Sequence, residues 1–362
     1  MSYFSVLVIG PNIEEQLAPY HEFECTGKND QYIKDTDITN DVRKAYDGST
    51  RTRFKDPAGE HHCPYQARFA VKGEGVFAPT SYPCPEGWEK TEIPTKELQS
   101  FLEYIEDSES KKPVPFGTSP DLGGDHKYGY VLLNDKGEVE KVINRTNPNA
   151  KWDYWREGGR WAGHFLLKAP AEIRPNYSWE WTFNADTEPL DPRMGDNRRA
   201  DKALKGEVDW EAMMAEAGYK AAKNYDLAMS IFDHLPECKS WEEIRSEHEG
   251  DIEAARSAYH DQPRCKALDD ERKKDFRNFP LGWDASPDDF ALSRERYIEN
   301  ARNRSITTFA IVKDGQWQEK GQMGWFGIST NEKDQETWNS MFAKIIMELP
   351  EDTLLTVVDC HI

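Results

Sequence analysis

TLLTVVDC, residues Thr353–Cys360, is a run of aliphatic and β-branched residues that begins soon after Pro350 and ends on a carboxylate, a thiol and an imidazole. Such a run reads as a buried strand. A second run of the same kind, YFSVLVIG (Tyr3–Gly10), opens the chain and is closed by Gly10-Pro11. Buried strands near both termini are expected to pair within one sheet. Working inward from the C-terminus, Asn331 is expected to cap a helix bearing Trp338, Phe342, Ile345 and Ile346, which Pro350 ends. Two further strands are expected over Ile306–Val312 and Gln322–Ile328, with Asp314-Gly315 as a turn.

Residues 201–303 change to a helical composition. The pattern predicts a helix over Val208–Leu235, interrupted near Gly218. A second starts at Ser240, where Glu243 completes a capping box, and a third at Ser286-Pro287. Upstream, Thr95–Asp107 reads as a helix, and Tyr128–Asn134 and Val139–Asn144 as a hairpin about Asp135-Lys136-Gly137. Residues 19–94 read as irregular, with one strand in QARFAVKG (66–73). The fold expected is α+β: a mixed or antiparallel sheet built from N-terminal, central and C-terminal segments, with an inserted helical block. Residues 1–195 and 304–362 would form the core domain and 196–303 the insertion. The change falls in the Pro- and charge-rich DTEPLDPRMGDNRRA (Asp186–Ala200).

Composition narrows the function classes. The 362 residues include 66 acidic against 46 basic, a formal charge of -20, which argues against direct binding to nucleic-acid backbones or anionic membranes. Aromatic residues at 12%, among them 12 Trp, mark a folded chain despite a mean hydropathy of -0.85. No stretch approaches the roughly 20 apolar residues of a membrane span, and the N-terminus reads as a strand, not a signal peptide. The six Cys are scattered without C-x-x-C, a pattern of reduced cytoplasmic thiols.

One motif stands out: NPNAKWDYWREGGRW, Asn147–Trp161. Lys151, Arg156 and Arg160 offer donors to carboxylate or phosphate, and Trp152, Trp155 and Trp161 offer faces for stacking. Gly158-Gly159 permits positive φ and close approach of N–H groups to an anion, while Asp153 can orient an Arg or accept a ribose hydroxyl. The same residues can equally form a cation–π core with paired charges at its edge. At the C-terminus, alternation puts Asp359 and His361 on one strand face and Cys360 on the other. This makes Asp359 and His361 the candidate acid–base pair, beside the plainer reading of core filling and a capped end. In His21–Cys25, Glu22 and Glu24 read as a carboxylate pair or as solvated loop charges; the His61-His62-Cys63, Cys84 and His126 set is metal-capable but lacks close paired spacing, so neither metal nor cofactor is expected. Gly123-Gly124-Asp125-His126 reads as a turn, and no Rossmann, P-loop, G-x-S-x-G or H-E-x-x-H pattern occurs.

Four segments, Val6–Gly27, Asn147–Trp161, MGWFGIS (Met323–Ser329) and LPEDTLLTVVDCHI (Leu349–Ile362), together about a third of the chain, resemble a family of proteins carried by bacteriophages and prophages. The resemblance implies a phage origin and the host cytoplasm and brings no reaction with it. The expectation is therefore a phage accessory protein, for host takeover or counter-defence, that binds a small anionic or nucleotide-like ligand in an Arg/Trp pocket. Whether it hydrolyses that ligand is left open. The alternative is an acidic inhibitor or DNA mimic that engages a host protein. A virion component has little support, since repeats and heptads are absent.

Overall fold

Seven consecutive register pairs join the two ends of the chain, from Tyr3↔His361 to Ile9↔Leu355, as antiparallel neighbours at the heart of one sheet. The computed structural model describes residues 2–22, 30–72, 80–173, 175–176, 196–248, 250–275, 279–282, 285–324 and 328–362. The fold is α+β. Contacts divide the chain into two compact units: Met1–Ala18 with Trp152–Ile362, and Pro19–Lys151. This division follows the sheets instead of the change from mixed to helical composition.

In the first unit the strand order is Tyr154–Glu157, Leu354–His361, Tyr3–Ile9, Ala310–Lys313, Gln316–Glu319. Lys202–Leu204 pairs with Leu354–Thr356, continuing the outer edge begun by Tyr154–Glu157. Tyr3–Ile9 runs parallel to Ala310–Lys313. Flanked on both sides and covered on both faces, it is apolar nearly throughout, with Phe4 and Val6–Ile9 all buried. Leu7, Ile9, Ile311, Leu355 and Val357 line one sheet face and pack on Trp338, Phe342 and Ile346 of the Gln335–Glu348 helix. Asp314 and Gly315, both at positive φ, make the tight turn to Gln316–Glu319.

Several local expectations are corrected. Asp334, not Asn331, caps the Gln335–Glu348 helix, accepting from Thr337 N–H at 2.9 Å. The partner of Ala310–Lys313 is Gln316–Glu319; among the described residues Gln322–Met323 pairs with Ser329–Thr330, and 325–327 of the expected strand lie outside them. Trp210–Ile231 is one unbroken helix, because Gly218 faces Arg302 so closely that an added Cβ would lie 2.9 Å from its Cγ. The glycine serves helix packing instead of breaking the helix. The box at Ser240 starts Trp241–Glu247 as expected, whereas Ser286-Pro287 starts only the short 3₁₀ turn Pro287–Phe290, and Ser293 starts Arg294–Arg304.

In the second unit the expected hairpin is present as Gly129–Leu133 and Val139–Thr146, flanked by Lys112–Val114 and Lys34–Asp37. The helices Thr39–Gly48 and Phe101–Ser108 place Val42 and Ile105 on Val131 and Val142. Thr95–Asp107 is not one helix. Ser100 and Glu103 form a capping box that starts Phe101–Ser108, leaving Thr95–Glu97 as a 3₁₀ turn. Residues 19–94 are more ordered than expected, since Thr50–Lys55 pairs with Glu89–Pro94 along six residues. QARFAVKG supplies a 3₁₀ turn at Ala67–Phe69 and only Val71–Lys72 as strand.

Candidate functional site

The first unit brings the C-terminal strand and the aromatic motif together directly: Tyr154–Glu157 pairs with His361–Val358, so Arg156 lies opposite Asp359 and Tyr154 opposite His361. Directly opposed residues share a sheet face. Tyr3, Ser5, Tyr154, Arg156, Asp359 and His361 therefore continue, as a polar region, the same face that carries the apolar core.

His361 Nδ1 lies 2.6 Å from Asp153 Oδ1, and Asp153 N–H donates to the His361 carbonyl at 2.9 Å. An ionised carboxylate can only accept, so Nδ1 carries the proton; in the neutral ring Nε2 then presents its lone pair. That Nε2 is buried and, among the described residues, has no hydrogen-bond partner. The Tyr3 ring sits 4.5 Å from the imidazole, and the Arg160 guanidinium stands 3.1 Å from the centroid of the same ring. Arg156 Nη2 donates to Asn176 Oδ1 at 3.1 Å. The Asp153 and His361 side chains are 25% and 15% exposed, enough for the pair to meet solvent at its edge.

The Gly158-Gly159 turn is held from both sides. Both glycines have positive φ. Gly158 N–H donates to the Val357 carbonyl at 3.0 Å and Gly159 N–H to the Asn176 carbonyl at 2.9 Å. Asp359 Oδ2 accepts from Arg160 N–H at 2.9 Å; Asp201 accepts from Gly163 N–H at 2.6 Å and Asn176 N–H at 2.5 Å. Both carboxylates are almost wholly buried.

Several expectations change as a result. The Gly158 and Gly159 N–H groups are engaged internally and do not face an anion. Asp359 organises the turn, and the imidazole's partner is Asp153. Trp152 is buried, with Nε1–H donating to the Leu17 carbonyl at 3.2 Å, and Trp161 packs against the core. Trp155 lies opposite Cys360 and so points to the other sheet face, into a cavity lined by Pro11, Glu14, Glu15 and Lys202. Lys151 belongs to the second unit, where its N–H donates to the Tyr20 carbonyl. Burial raises the Cys360 thiol well above its ordinary pKa, which removes it as a nucleophile.

Tyr3, Asn176 and Asp201 are the site residues that sequence reasoning missed. Only Tyr3 carried a signal, since it shares the parity of Ser5 and Leu7 on the first strand. Asn176 and Asp201 are placed by long-range hydrogen bonds alone.

Among the metal-capable residues of the second unit, His62 and His126 are hydrogen-bonded within the protein. Asp56, Glu60 and His62 bring one ligand atom each within 4.8 Å of the others. His62 Nε2 bonds Asp56 Oδ2 at 2.9 Å and Nδ1 bonds Arg68 at 2.8 Å, so both ring nitrogens are occupied. His126 Nδ1 accepts from Asp121 N–H at 2.9 Å and closes the Gly123-Gly124 turn. Residues 23–25 of the His21–Cys25 segment lie outside the described residues, as do 325–327 of MGWFGIS. No helix of the described residues is long and apolar enough to cross a membrane. No protein-family model, no curated protein and no solved structure matches the chain.

Proposed function

We propose that this is a phage accessory protein, acting in the host cytoplasm, that binds a small anionic, nucleotide-like ligand against the His361 face. His361, oriented by Asp153, acts there as a general base. The observation that carries the reading is the Asp153–His361 pair, whose Nε2 has no hydrogen-bond partner among the described residues, beside the ring of Tyr3 and the guanidinium groups of Arg156 and Arg160. A phosphate or carboxylate of the ligand meets the guanidinium groups, and Nε2, in the neutral ring, takes a proton from an attacking water. The alternative acidic inhibitor or DNA mimic draws on the charge of -20. It stands second because acidic residues on the helical block alternate with basic partners, as in Lys239–Glu247, Lys266–Asp261 and Arg294–Asp226.

A thermal-shift screen of nucleoside mono-, di- and triphosphates and cyclic nucleotides tests the proposal, with chromatography of each mixture for hydrolysis products. The expected result is a rise in Tm with at least one class, lost in Arg160→Ala and kept in His361→Gln, with any hydrolysis lost in His361→Gln. A flat response across the panel, together with unchanged nucleotides, overturns it.

A further inference from the structure

Away from the His361 face, two helices of the helical block present matching stripes to one cavity of about 750 Å³. Trp210–Ile231 contributes Ala217, Lys220, Ala221 and Asn224. Arg294–Arg304 contributes Tyr297, Asn300, Ala301 and Arg304. Both sets follow the spacing i, i+3, i+4, i+7, so each is a continuous stripe on one face of its helix. Each stripe brings one cation and one carboxamide, with alanine beside them.

The helices are held together by short contacts at two levels. An added Cβ at Gly218 would lie 2.9 Å from Arg302 Cγ, and Arg294 Nε donates to Asp226 Oδ1 at 2.8 Å. These contacts make the helices antiparallel and put Lys220 level with Asn300. Arg304 then stands about one turn along the axis, roughly 5.4 Å, from Lys220. The Tyr225 hydroxyl donates to the Leu292 carbonyl at 3.1 Å and ties the first helix to the chain that leads into the second. Short side chains at Ala217, Ala221 and Ala301 leave the space between these rigid elements open, which is the character of a preformed ligand site.

The charges at this cavity are the exception in a chain of net charge -20. The other cations of the two helices are engaged: Arg294 pairs with Asp226, Arg296 with Glu299, Lys223 lies over the Tyr219 ring, and Arg302 covers Gly218. Lys220 and Arg304 are exposed at the cavity rim, and among the described residues neither side chain makes a hydrogen bond or an ion pair. The carboxylates of the cavity wall are already held by backbone donors. Asp288 accepts from Trp241 N–H at 2.8 Å, and Asp289 accepts from Ser286 N–H at 2.8 Å.

We propose that this cavity binds a small organic anion, its carboxylate or phosphate head between Lys220 and Arg304 and its apolar body against Ala221, Ala301 and Phe290. The guanidinium fork of Arg304 takes two oxygens of the head, and the Lys220 ammonium adds a point charge. The Asn224 and Asn300 carboxamides, each donor and acceptor, select a ligand with a hydroxyl or amide beside the head. This site and the His361 face share no residue, so neither reading rests on the other.

The test titrates the full-length protein with anilinonaphthalene sulfonate, an apolar anion whose fluorescence rises as it leaves water. Naphthyl phosphate, naphthoate and naphthol then compete, sharing one ring body and differing in head group. One saturable site is expected, emptied by the phosphate or the carboxylate and not by the neutral alcohol; the better competitor identifies the head. Lys220→Ala and Arg304→Ala, both at exposed positions, should each weaken binding about tenfold, with Arg304→Lys recovering part of the loss. Ala301→Leu, which fills the cavity and keeps both cations, should abolish binding, and His361→Gln should leave it unchanged. Displacement by naphthol equal to that by the anions, full affinity in both Lys220→Ala and Arg304→Ala, or loss of binding in His361→Gln overturns the proposal.

Discussion

Gly159→Ala is the sharpest test of how the Tyr154–Glu157 edge is held to the C-terminal strand. An added Cβ at 159 would lie 2.6 Å from the Asp359 Cβ, and the residue sits at φ +59. The left-handed backbone alone costs an alanine about 1 kcal/mol. The clash adds to this, because Asp359 must withdraw from Arg160 N–H, and losing a buried charged hydrogen bond costs about 1–3 kcal/mol. The sum is about 2–4 kcal/mol, which in a unit of this size lowers Tm on the order of 10 °C. Gly315→Ala is the matched control, since Gly315 has φ +70 with open space around its Cα and incurs the backbone cost only. Urea unfolding followed by Trp fluorescence and far-UV circular dichroism reads both variants. If Gly159→Ala loses no more than Gly315→Ala, Asp359 does not hold the turn and the reasoning fails.

Four further outcomes are expected. Trp338→Ala, which empties a fully buried site and removes an indole hydrogen bond to the Thr308 carbonyl, should cost about 3–5 kcal/mol in the same assay. Ser240→Ala should cost about 1 kcal/mol through loss of the capping box, and Ser240→Thr should restore most of it. The Cys265 thiol is raised to about 12 by burial, so its neutral form is favoured in the folded state. Its contribution is complete below the unfolded thiol pKa near 8.5 and is lost as pH climbs toward 12; a stability curve over that range should be flatter in Cys265→Ala. Zinc or a chelator should leave Tm unchanged, because both His62 nitrogens already have partners; a metal-dependent rise would refute that account of the cluster.

Much of the first unit was legible because its signals are local. Continuous aliphatic runs named Tyr3–Ile9 and Leu354–His361, and the Ser240–Glu243 spacing marked a helix start. The second unit was harder to read. TRTRFK and EKTEIP carry charge at nearly every other position and, Phe54 apart, are half-buried or exposed, so the pairing of Thr50–Lys55 with Glu89–Pro94 leaves no apolar alternation. Reading Asn331 as a cap failed because Asp334 offers the same chemistry three residues later, while Asn331 takes a left-handed turn. At the site, strand parity correctly placed Asp359 and His361 together. Parity says nothing about which carboxylate each meets, and Asp153, Asn176 and Asp201 reach the site through contacts made only after the sheet closes.

The central position of Tyr3–Ile9 has a consequence for synthesis on the ribosome. Both strands that flank it, Ala310–Lys313 and Leu354–His361, are translated more than three hundred residues later. At about 5–20 residues per second, this aliphatic segment waits roughly 15–60 s before the first neighbour is made. Throughout that interval its ladder groups and apolar side chains are open to any extended polypeptide nearby. Nascent chains stalled before residue 310 should therefore be rich in chaperone occupancy or aggregate at their N-terminal end.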